Sequence, residues 1–406
     1  LEKEYKLKKP LRGVNILGSI LVSYETANFI LLLKKLGANV RWCSDSLHYS
    51  VDEACAYVAA EGVPVFAKRG MTIDEYYWVF NESVKFRDKK GNIISPDYIL
   101  DDGAEFTEYM LKKHPEKIDR VKGMCEQTTS GITLMYTQFI NKGVLQFPII
   151  NVNESITKAK FDNVYGSRES LLEGLQNAMN VQLGGKRVVI FGFGEVGKGC
   201  VQAMRGIGAN VSIVEIDPIM AMQAIMEGYT LLEKEQACRW GQIFITTTGC
   251  IKTIDEHELM LMNSGAYVMN MSEHDMEVNS HFFRKNKELR KIKINHNLDK
   301  YVFPNGKEIY LLCDGFIVNL YAGKGHPPKV MGITFTNMTL AIIDMVEHPE
   351  DYGEKRVYRL PRKLDEKAAI LSFPEIAQKL NKLSKEQADY LGVNIQGPYK
   401  REGYRY

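Results

Sequence analysis

Short apolar runs and segments with helical spacing alternate along the first 150 residues. Residues 13–18 are largely apolar, residues 26–36 repeat apolar side chains at helical spacing, and residues 38–42 form a second short run. The alternation continues at 63–66 and 98–103. Strands that alternate with helices are typical of a parallel sheet with helices on both faces. The pattern therefore predicts one doubly wound α/β unit in this part of the chain.

A second unit is predicted where the apolar run 186–191 leads directly into Gly192-Phe193-Gly194-Glu195-Val196-Gly197 and a helix over 198–206. In dinucleotide-binding folds the first glycine permits a tight turn, the second lets pyrophosphate approach the backbone, and the third allows the helix to pack closely on the strand. The helix N-terminus also favours the anion. Glu195 and Val196 are predicted to contact the cofactor as part of this turn.

An acid ends the next predicted strand. Glu215 closes the run 210–215, at about the separation of 20 residues that is expected for the acid of this fold. Its carboxylate is predicted to accept hydrogen bonds from the adenosine ribose and would repel a 2′-phosphate. The motif therefore predicts NAD rather than NADP. The alternative is a solvated acid at a strand end.

Composition limits the class of protein. With 406 residues, of which 45% are hydrophobic and 25% charged, the chain suits two or three domains. The 52 basic residues barely exceed the 50 acidic ones, so a nucleic acid partner is not expected. The seven cysteines lack zinc-site spacing, so no metal is expected. The charged first residues and the lack of a long apolar run predict a cytoplasmic protein without a membrane partner.

The last forty residues are rich in Lys, Glu and Tyr. A solvated tail is one interpretation. The three tyrosines Tyr399, Tyr404 and Tyr406 also fit a segment that docks on another surface.

Four stretches resemble the S-adenosylhomocysteine hydrolases: 151–163, the loop 192–199 with 215–218, 246–250, and 404–406. The similarity is collinear over essentially the whole chain. It implies an α/β fold of two doubly wound Rossmann-like domains plus a C-terminal extension. The implied limits are a substrate domain over 1–153 to which 328–357 returns, an NAD domain over 169–324, and an extension over 358–406 that docks on a neighbouring subunit.

The resemblance also implies a reaction. Members of this family use NAD⁺ to oxidise the 3′ carbon of adenosine, which makes the 4′ proton acidic enough to remove. The 5′ substituent leaves, water adds, and the 3′ ketone is reduced again, so that the cycle is redox-neutral. The family is typically tetrameric, and a tail from each subunit completes the cofactor site of its neighbour.

Several residues match the family's reaction and substrate positions. Lys158 and Asp162 match the pair that manages the 3′-hydroxyl, and their spacing would place both on one face if the segment is helical; a surface ion pair is the alternative. Asp102 matches an acid near the 4′ and 5′ positions, although it could be a turn aspartate. The substrate contacts implied around the adenosine are Ser23, Glu25, Thr128, His326 and Met331. His326 could instead be a hinge histidine with a structural hydrogen bond.

Hydroxyl, amide and apolar side chains match the family's contacts to the cofactor. In addition to the glycine-rich turn and Glu215, these residues are Thr128, Thr129, Ser130, Asn163, Thr247, Thr248, Met271, Asn319, Lys400 and Tyr404. Lys400 and Tyr404 match the tail residues that complete the neighbour's NAD site.

The departures from the family pattern concern proton transfer at the 5′ position. Leu21 stands in place of a catalytic histidine, and Glu273 occupies the position of a second one, which His274 could replace after a shift of one residue. Gln127 replaces a glutamate that binds sugar hydroxyls. Gln127 and Glu273 remain candidates for catalytic residues.

Other replacements affect the homocysteine pocket and the cofactor ribose. Asp45 and Ser46 replace Cys-Asn, Val51 replaces a glutamine, and Met220 replaces an asparagine. The residues that match the family's 3′ oxidation are therefore kept, whereas those that match its proton transfer at the 5′ position and its homocysteine pocket are changed. Three hypotheses follow: a diverged lyase or dehydratase that eliminates another 5′ group from an adenosine-type nucleoside, an ordinary S-adenosylhomocysteine hydrolase, and a non-catalytic NAD-binding regulatory protein.

Overall fold

The structure, a computed structural model, describes residues 1–5, 7–272, 276–404 and 406. These residues form two compact units. Unit 1 contains Leu1–Lys158 and Met331–Tyr406, and unit 2 contains Ala159–Val330. The domain limits expected from the sequence, and the docking of 358–406 on a neighbouring subunit, stay predictions.

The strands, in chain order, are β1 (Asn15–Ser19), β2 (Asn39–Cys43), β3 (Val65–Phe66), β4 (Phe86–Arg87), β5 (Ile93–Ile94), β6 (Tyr98–Asp101), β7 (Gly123–Glu126), β8 (Ile149–Asn151), β9 (Arg187–Phe191), β10 (Asn210–Val214), β11 (Thr230–Leu231), β12 (Ile243–Thr246), β13 (Ala266–Asn270), β14 (Arg290–Asn295), β15 (Leu298–Val302), β16 (Glu308–Leu312) and β17 (Val357–Arg359).

The α-helices are α1 (Glu2–Tyr5), α2 (Tyr24–Lys35), α3 (Asp52–Ala60), α4 (Ile73–Ser83), α5 (Glu105–Lys113), α6 (Thr129–Met135), α7 (Ile156–Lys158), α8 (Ser167–Met179), α9 (Glu195–Gly206), α10 (Pro218–Met226), α11 (Lys234–Trp240), α12 (Glu256–Leu261), α13 (Ser280–Lys285), α14 (Val318–Tyr321), α15 (Pro328–Glu347), α16 (Arg362–Ser372), α17 (Pro374–Lys379) and α18 (Lys385–Leu391). Short 3₁₀ segments span Pro115–Ile118, Cys313–Gly315 and Pro349–Tyr352, and π-helical segments span Tyr136–Ile140 and Ala159–Gly166.

Unit 1 is built on a parallel sheet in the order β17-β8-β7-β6-β1-β2-β3. Because successive side chains of a strand point to opposite faces, Ile16 of β1 packs into one core cluster and Leu17 into another. Both residues are fully buried. A strand that is buried on both faces explains the continuous apolar run seen in the sequence.

Unit 2 has the order β11-β10-β9-β12-β13-β16 for its parallel strands, and the antiparallel β15 and β14 follow at the edge. Numbered along the chain, the parallel part is 3-2-1-4-5-6, which is the order of a Rossmann fold. The predicted α/β fold class, with two doubly wound sheets, is confirmed.

Helix α15 has the length and composition of a membrane span, but its position is that of a core helix. In its most apolar window of 18 residues, 67% are buried in the protein. Phe335 of this helix stacks on Phe29 of α2, with 4.5 Å between the ring centroids. Met338 and Ile342 are fully buried in the same cluster. The helix therefore supplies core contacts in unit 1.

Candidate active site and cofactor site

The candidate reaction residues of unit 1 follow the carboxyl ends of four neighbouring strands. Leu21 follows β1, Asp102 follows β6, Gln127 follows β7, and Asn153 follows β8. In open parallel sheets this is the edge at which ligands bind. The fold therefore brings these side chains to one edge although they are far apart in the sequence.

Asp102 and Gln127 form a buried pair at this edge. The Gln127 side chain donates from Nε2 to Asp102 Oδ2 over 2.6 Å, and the two residues are 6% and 8% exposed. Glu126, which is fully buried, accepts from the backbone N–H groups of Gly103 and Thr128 at 3.1 and 2.8 Å. These bonds fix the loops that follow Asp102 and Gln127.

A second aspartate, Asp101, ends β6 directly before Asp102. Asp101 is fully buried and accepts from Thr107 Oγ1 at 2.6 Å and from the Asp102 N–H at 3.1 Å. Burial raises the pKa of Asp101 to about 7, because removal from water penalises the charged carboxylate. The hydrogen bonds from Thr107 oppose this shift of the pKa without cancelling it.

Lys158 is held by a chain of amide and hydroxyl groups. Its ammonium Nζ donates to Asn153 Oδ1 over 3.0 Å, and Asn153 Nδ2 donates to Thr129 Oγ1 over 2.8 Å. Lys158 is only 6% exposed. A lysine side chain has many rotamers. These contacts restrict the rotamers of Lys158 and so fix the position of its charge.

The turn that carries Lys158 is anchored from distant parts of unit 1. The Asp365 carboxylate of α16 accepts from the backbone N–H groups of Ile156 and Thr157 at 2.7 and 2.9 Å and from Thr157 Oγ1 at 2.5 Å. Asn337 of α15 donates to Thr157 Oγ1 over 2.8 Å. A carboxylate at the first N–H groups of a helix is a favourable cap. Lys158 ends the short helix α7, and Asp162 lies in the π-helical segment Ala159–Gly166, so a shared face for the two side chains stays a prediction.

The residues predicted to contact the adenine ring have clear local roles. Ser23 caps α2 by accepting from the Thr26 N–H over 3.2 Å, and its hydroxyl donates to Glu25 Oε2 over 2.8 Å. The predicted Ser23 and Glu25 pair therefore lies together. Leu21 is half-buried just before this helix, and Met331 is half-buried in α15.

The glycine-rich turn of unit 2 has the shape that a dinucleotide requires. A Cβ at Gly197 would lie 2.2 Å from the Gly192 carbonyl oxygen, so only glycine permits this contact of helix and turn. A Cβ at Gly194 would meet no described atom within 4 Å, which leaves room beside the backbone. Gly194 is also the N-cap of α9 and has no side chain to satisfy the first N–H groups of the helix. These features fit a pyrophosphate.

Glu215 follows β10 beside this turn. Its Oε2 accepts from the Phe193 N–H over 2.6 Å, and its Oε1 accepts from the N–H groups of Ile216 and Asp217 at 2.6 and 2.9 Å. These three bonds use three of the four lone pairs of the carboxylate, so one on Oε2 can still accept a ribose hydroxyl. The arrangement fits the predicted recognition of an unphosphorylated ribose.

Thr247 and Thr248 shape the loop after β12. Thr247 Oγ1 donates to the Phe191 carbonyl over 2.8 Å and so links this loop to the end of β9. Thr248 donates from Oγ1 to Glu277 over 2.8 Å, and the Gly249 N–H donates to Glu277 over 2.5 Å. Glu277 is 2% exposed. A buried acid therefore fixes the predicted Thr-Thr-Gly contact loop.

The other predicted cofactor residues of unit 2 occupy buried or partly buried positions. Asn319 is 2% exposed and donates to Ser170 Oγ over 3.1 Å, while its Oδ1 is buried and has no hydrogen-bond partner in the described part of the chain. Such an acceptor fits a carboxamide N–H. Met271 is 3% exposed after β13, and Asn163 lies in the π-helical segment.

His326 is paired with Asp162 in unit 2. The distance from His326 Nδ1 to Asp162 Oδ1 is 2.7 Å, and Asp162 is 3% exposed. A Cβ at Gly166 would lie 2.4 Å from His326 Nδ1, so the imidazole packs directly on the backbone there. The two predicted residues therefore lie together.

Three predicted groups have other outcomes. Glu273 and His274 lie outside the described residues. Thr128 and Ser130 belong to unit 1, where Thr128 caps α6 and accepts from Ser130 Oγ over 3.1 Å. Lys400 and Tyr404 are exposed in unit 1, where the Tyr404 carbonyl accepts from Arg362 Nη2 over 2.8 Å.

Sequence reasoning missed the residues that hold the predicted ones in place. These are Asn153 beside Lys158, Asp365 and Asn337 on its turn, Glu126 at the Asp102 loop, and Glu277 at the Thr248 loop. Asn153 could have been noticed because it lies in the same motif as Lys158. Asp365 gives no comparable signal, since it lies more than 200 residues from its partners.

Comparison with known proteins agrees with these features. Residues 163–325 match the family model described as the S-adenosyl-L-homocysteine hydrolase NAD binding domain, and residues 1–117 match the model described as S-adenosyl-L-homocysteine hydrolase. The two models together cover more than half of the chain. The predicted cofactor, NAD, is confirmed.

The solved structures that the chain matches are distant in sequence. A dipicolinate synthase from Bacillus halodurans is 14% identical over 82% of this chain and 98% of its own, with a TM-score of 0.45. A dipicolinate synthase from Bacillus subtilis is 13% identical over 84% and 98%, with a TM-score of 0.46. NAD⁺-bound 3-phosphoglycerate dehydrogenase from Entamoeba histolytica is 14% identical over 83% and 96%, with a TM-score of 0.43. The two matching family models show that the chain belongs to the S-adenosyl-L-homocysteine hydrolase family of NAD-dependent enzymes.

Proposed function

We propose that the protein is an enzyme that oxidises an adenosine-type nucleoside transiently at the 3′ carbon, removes the 4′ proton and eliminates the 5′ substituent. The reaction is then of the lyase or dehydratase type and has diverged from hydrolysis of S-adenosylhomocysteine. Family membership and the NAD-binding domain support the redox part. The residues at the carboxyl edge of unit 1 support the rest.

One observation carries the proposal. The buried Lys158 ammonium is held at 3.0 Å by Asn153, whereas Leu21 supplies only an aliphatic side chain where the family has a proton-transferring histidine. A buried, oriented cation is costly to keep unless it has a task. Lys158, the group that acts at the 3′ position, is thus retained, whereas Leu21 replaces the group that acts at the 5′ position.

Lys158 acts on the 3′ oxygen. As the hydroxyl proton leaves, negative charge develops on that oxygen, and a fixed ammonium stabilises this charge strongly where water is excluded. Asp162, oriented by its bond with His326, is the second group assigned to this hydroxyl. When bound, NAD supplies the redox chemistry by taking hydrogen with its electron pair from the 3′ carbon and later returning it.

Asp102 accepts the 4′ proton. A ketone at the 3′ carbon makes the neighbouring C–H bond acidic, and a carboxylate within reach can then remove the proton. Asp102 is buried and held by Gln127, so its oxygens have defined positions. Gln127 and Thr128 lie in the loop that follows β7, and we assign the sugar hydroxyls to this loop. We assign Thr129 and Ser130, at the start of α6, to the cofactor contacts together with Thr128.

The 5′ substituent differs from homocysteine in this proposal. Leu21 can neither donate nor accept a proton, and Val51 lacks the amide that the family offers to the amino-acid tail. The Ser46 hydroxyl accepts from the backbone N–H of Tyr49 over 3.1 Å, so it serves its own loop. A small leaving group such as water would need none of these contacts.

The remaining assignments follow the family. Ser23, Glu25, His326 and Met331 contact the adenine. In unit 2 the contacts to NAD come from the glycine-rich turn, Glu215, Thr247, Thr248, Met271, Asn163 and Asn319. The protein assembles as a cytoplasmic homotetramer in which Lys400 and Tyr404 reach the NAD of a neighbour. Neither nucleic acid nor membrane is a partner.

Leu21 variants test the proposal against ordinary hydrolysis. The assay follows release of free thiol from S-adenosylhomocysteine by the wild type, Leu21→His and the matched control Leu21→Asn, which is polar but does not titrate near neutral pH. We expect negligible thiol release from all three proteins, because the rest of the 5′ pocket is also changed. Rapid thiol release from Leu21→His alone, or from the wild type, would favour a hydrolase site and contradict the proposal.

A further inference from the structure

The two polar atoms of the Gln127 side chain have different surroundings at the carboxyl edge of unit 1. Its Nε2 donates to Asp102 over 2.6 Å, and its Oε1 is buried and has no hydrogen-bond partner among the described residues. The residue as a whole is only 6% exposed. A buried acceptor left unpaired is destabilising, so this oxygen is suited to a donor that a ligand brings.

The orientation of the amide follows from its partner. If the amide were turned over, Oε1 would lie against Asp102 Oδ2 at 2.6 Å, and two oxygens without a shared proton would repel each other. The carboxylate therefore requires the N–H side of the amide. The acceptor side must then point away from Asp102.

The surrounding backbone fixes both side chains at their base. Glu126 accepts from the N–H of Gly103, which follows Asp102, and from the N–H of Thr128, which follows Gln127. The Asp102 N–H donates to the Ser19 carbonyl over 3.1 Å. The short distance between Asp102 and Gln127 is thus part of a built arrangement and not a chance contact of long side chains.

An amide at position 127 removes the need for Asp102 to share a proton with a neighbouring carboxyl group. Asp101, Asp102 and Glu126 already place three carboxyl groups at the ends of β6 and β7. A glutamate at position 127, as in the family pattern, would add a fourth at hydrogen-bond distance, and two such carboxyls can approach only if they share a proton. The amide of Gln127 supplies the hydrogen permanently, so Asp102 can remain an acceptor.

We infer that Gln127 is the positioning residue of Asp102: its amide N–H directs the carboxylate at the 4′ carbon, while its Oε1 stays available for the sugar hydroxyl that the proposed function assigns to this loop. This inference rests on the proposed function. In the step concerned, the proton passes from C4′ to Asp102, and the electron pair of the broken C–H bond is delocalised into the 3′ ketone. The same pair forms the C4′–C5′ double bond when the 5′ substituent leaves with its own bonding pair.

Exchange of the 4′ hydrogen measures this step separately from oxidation. The NAD-loaded protein is incubated with adenosine in D₂O, deuterium at C4′ is followed by mass spectrometry, and reduction of the bound nicotinamide is followed by its absorbance. The variants are Gln127→Met, which keeps the size but loses both polar atoms, and Gln127→Asn, which keeps an amide on a side chain that is one methylene shorter. The control is Gln138→Leu, a glutamine of the segment Tyr136–Ile140 whose side chain contacts Lys142.

We expect Gln127→Met to keep the rate of nicotinamide reduction within about threefold while 4′ exchange falls by about 100-fold, because misplacing a reacting group by about 1 Å costs that much. Adenosine affinity should fall by about tenfold, as expected for one lost hydrogen bond. Gln138→Leu should change neither rate. Equal effects on reduction and exchange, or no effect on exchange, would overturn the inference. If Gln127→Met does not fold, Gln127→Asn decides. We expect 4′ exchange to fall at least tenfold in this variant, and unchanged exchange would contradict the inference.

A separate measurement distinguishes failure of the proposed function. If no nucleoside reduces the nicotinamide in the wild type, the proposed function fails. The pairing is then tested by NMR of protein labelled with ¹⁵N-glutamine. The Gln127 side-chain amide should show a strongly hydrogen-bonded proton that is lost in Asp102→Asn. An identical signal in the two proteins would overturn the inference by itself.

Discussion

Replacing Gly197 by alanine tests the geometry on which the NAD site depends. The new Cβ would lie 2.2 Å from the Gly192 oxygen and 2.9 Å from its carbonyl carbon. To reach an ordinary contact of 3.4 Å the oxygen would have to move by about 1.2 Å, and densely packed interiors resist such shifts. Because the obstacle is backbone, no rotamer change can relieve it.

The expected magnitude combines two opposing terms. Alanine is favoured over glycine inside a helix by about 1 kcal/mol. Forcing an extra methyl group into a packed region costs about 1–3 kcal/mol, and a fixed backbone partner puts Gly197 at the upper end. We therefore expect Gly197→Ala to lower the free energy of unfolding of unit 2 by about 2 kcal/mol.

Two glycines of the same region provide matched controls. A Cβ at Gly206, in the same helix, or at Gly194 would meet no described atom within 4 Å. In urea unfolding of the NAD-free protein, Gly206→Ala should therefore keep or slightly raise the midpoint. Gly194→Ala should lower it slightly, because alanine is a poorer N-cap than glycine, but by less than Gly197→Ala. Gly194→Ala should still lose NAD affinity at least about tenfold, because its methyl group enters the space assigned to pyrophosphate. Equal midpoints for Gly197→Ala and Gly206→Ala would refute the reasoning.

Three further predictions concern residues that hold the site. Asp365→Asn should slow nicotinamide reduction about 10- to 100-fold and leave NAD retention unchanged, measured by rapid mixing, because it weakens the anchor of the Lys158 turn. Glu277→Gln should weaken NAD binding about tenfold in equilibrium dialysis, since the Thr248 loop loses its charged acceptor. Burial raises the pKa of Asp101 from 3.8 to about 7, so the folded state holds this proton more tightly than the unfolded state. The stability that this carboxyl group contributes is therefore complete below pH 3.8 and is lost as the pH rises to about 7. The urea midpoint of Asp101→Asn should fall less over this pH range than that of the wild type. A parallel fall in the two proteins would contradict the prediction.

The alternation of strands and helices and the cofactor turn could be predicted from the sequence because their causes are local. The apolar runs mark strands buried on both faces, and Gly192 with Gly197 marks a turn that few other residues permit. The start of α2 shows the limit of periodicity. The apolar spacing suggests residue 26, whereas the cap by Ser23 makes the helix begin at Tyr24.

The supports of the site could not be predicted in the same way. Asp365 holds Thr157 across more than 200 residues of chain, and Glu277 holds Thr248 across 29. Such contacts depend on how whole elements pack, and no short-range pattern in the sequence records them. The pairing of Gln127 with Asp102 is equally hidden, although the sequence alone marks both residues as candidates.

Incubation of the purified, NAD-loaded protein with adenosine and with S-adenosylhomocysteine tests the central claim most directly. Nicotinamide absorbance, free thiol and the nucleoside products are followed together. The account predicts that adenosine or a 5′-modified nucleoside reduces the bound nicotinamide. A 4′,5′-unsaturated product or its water adduct should then form. S-adenosylhomocysteine should release little thiol. Rapid thiol release, or a nicotinamide that no nucleoside reduces, would contradict it.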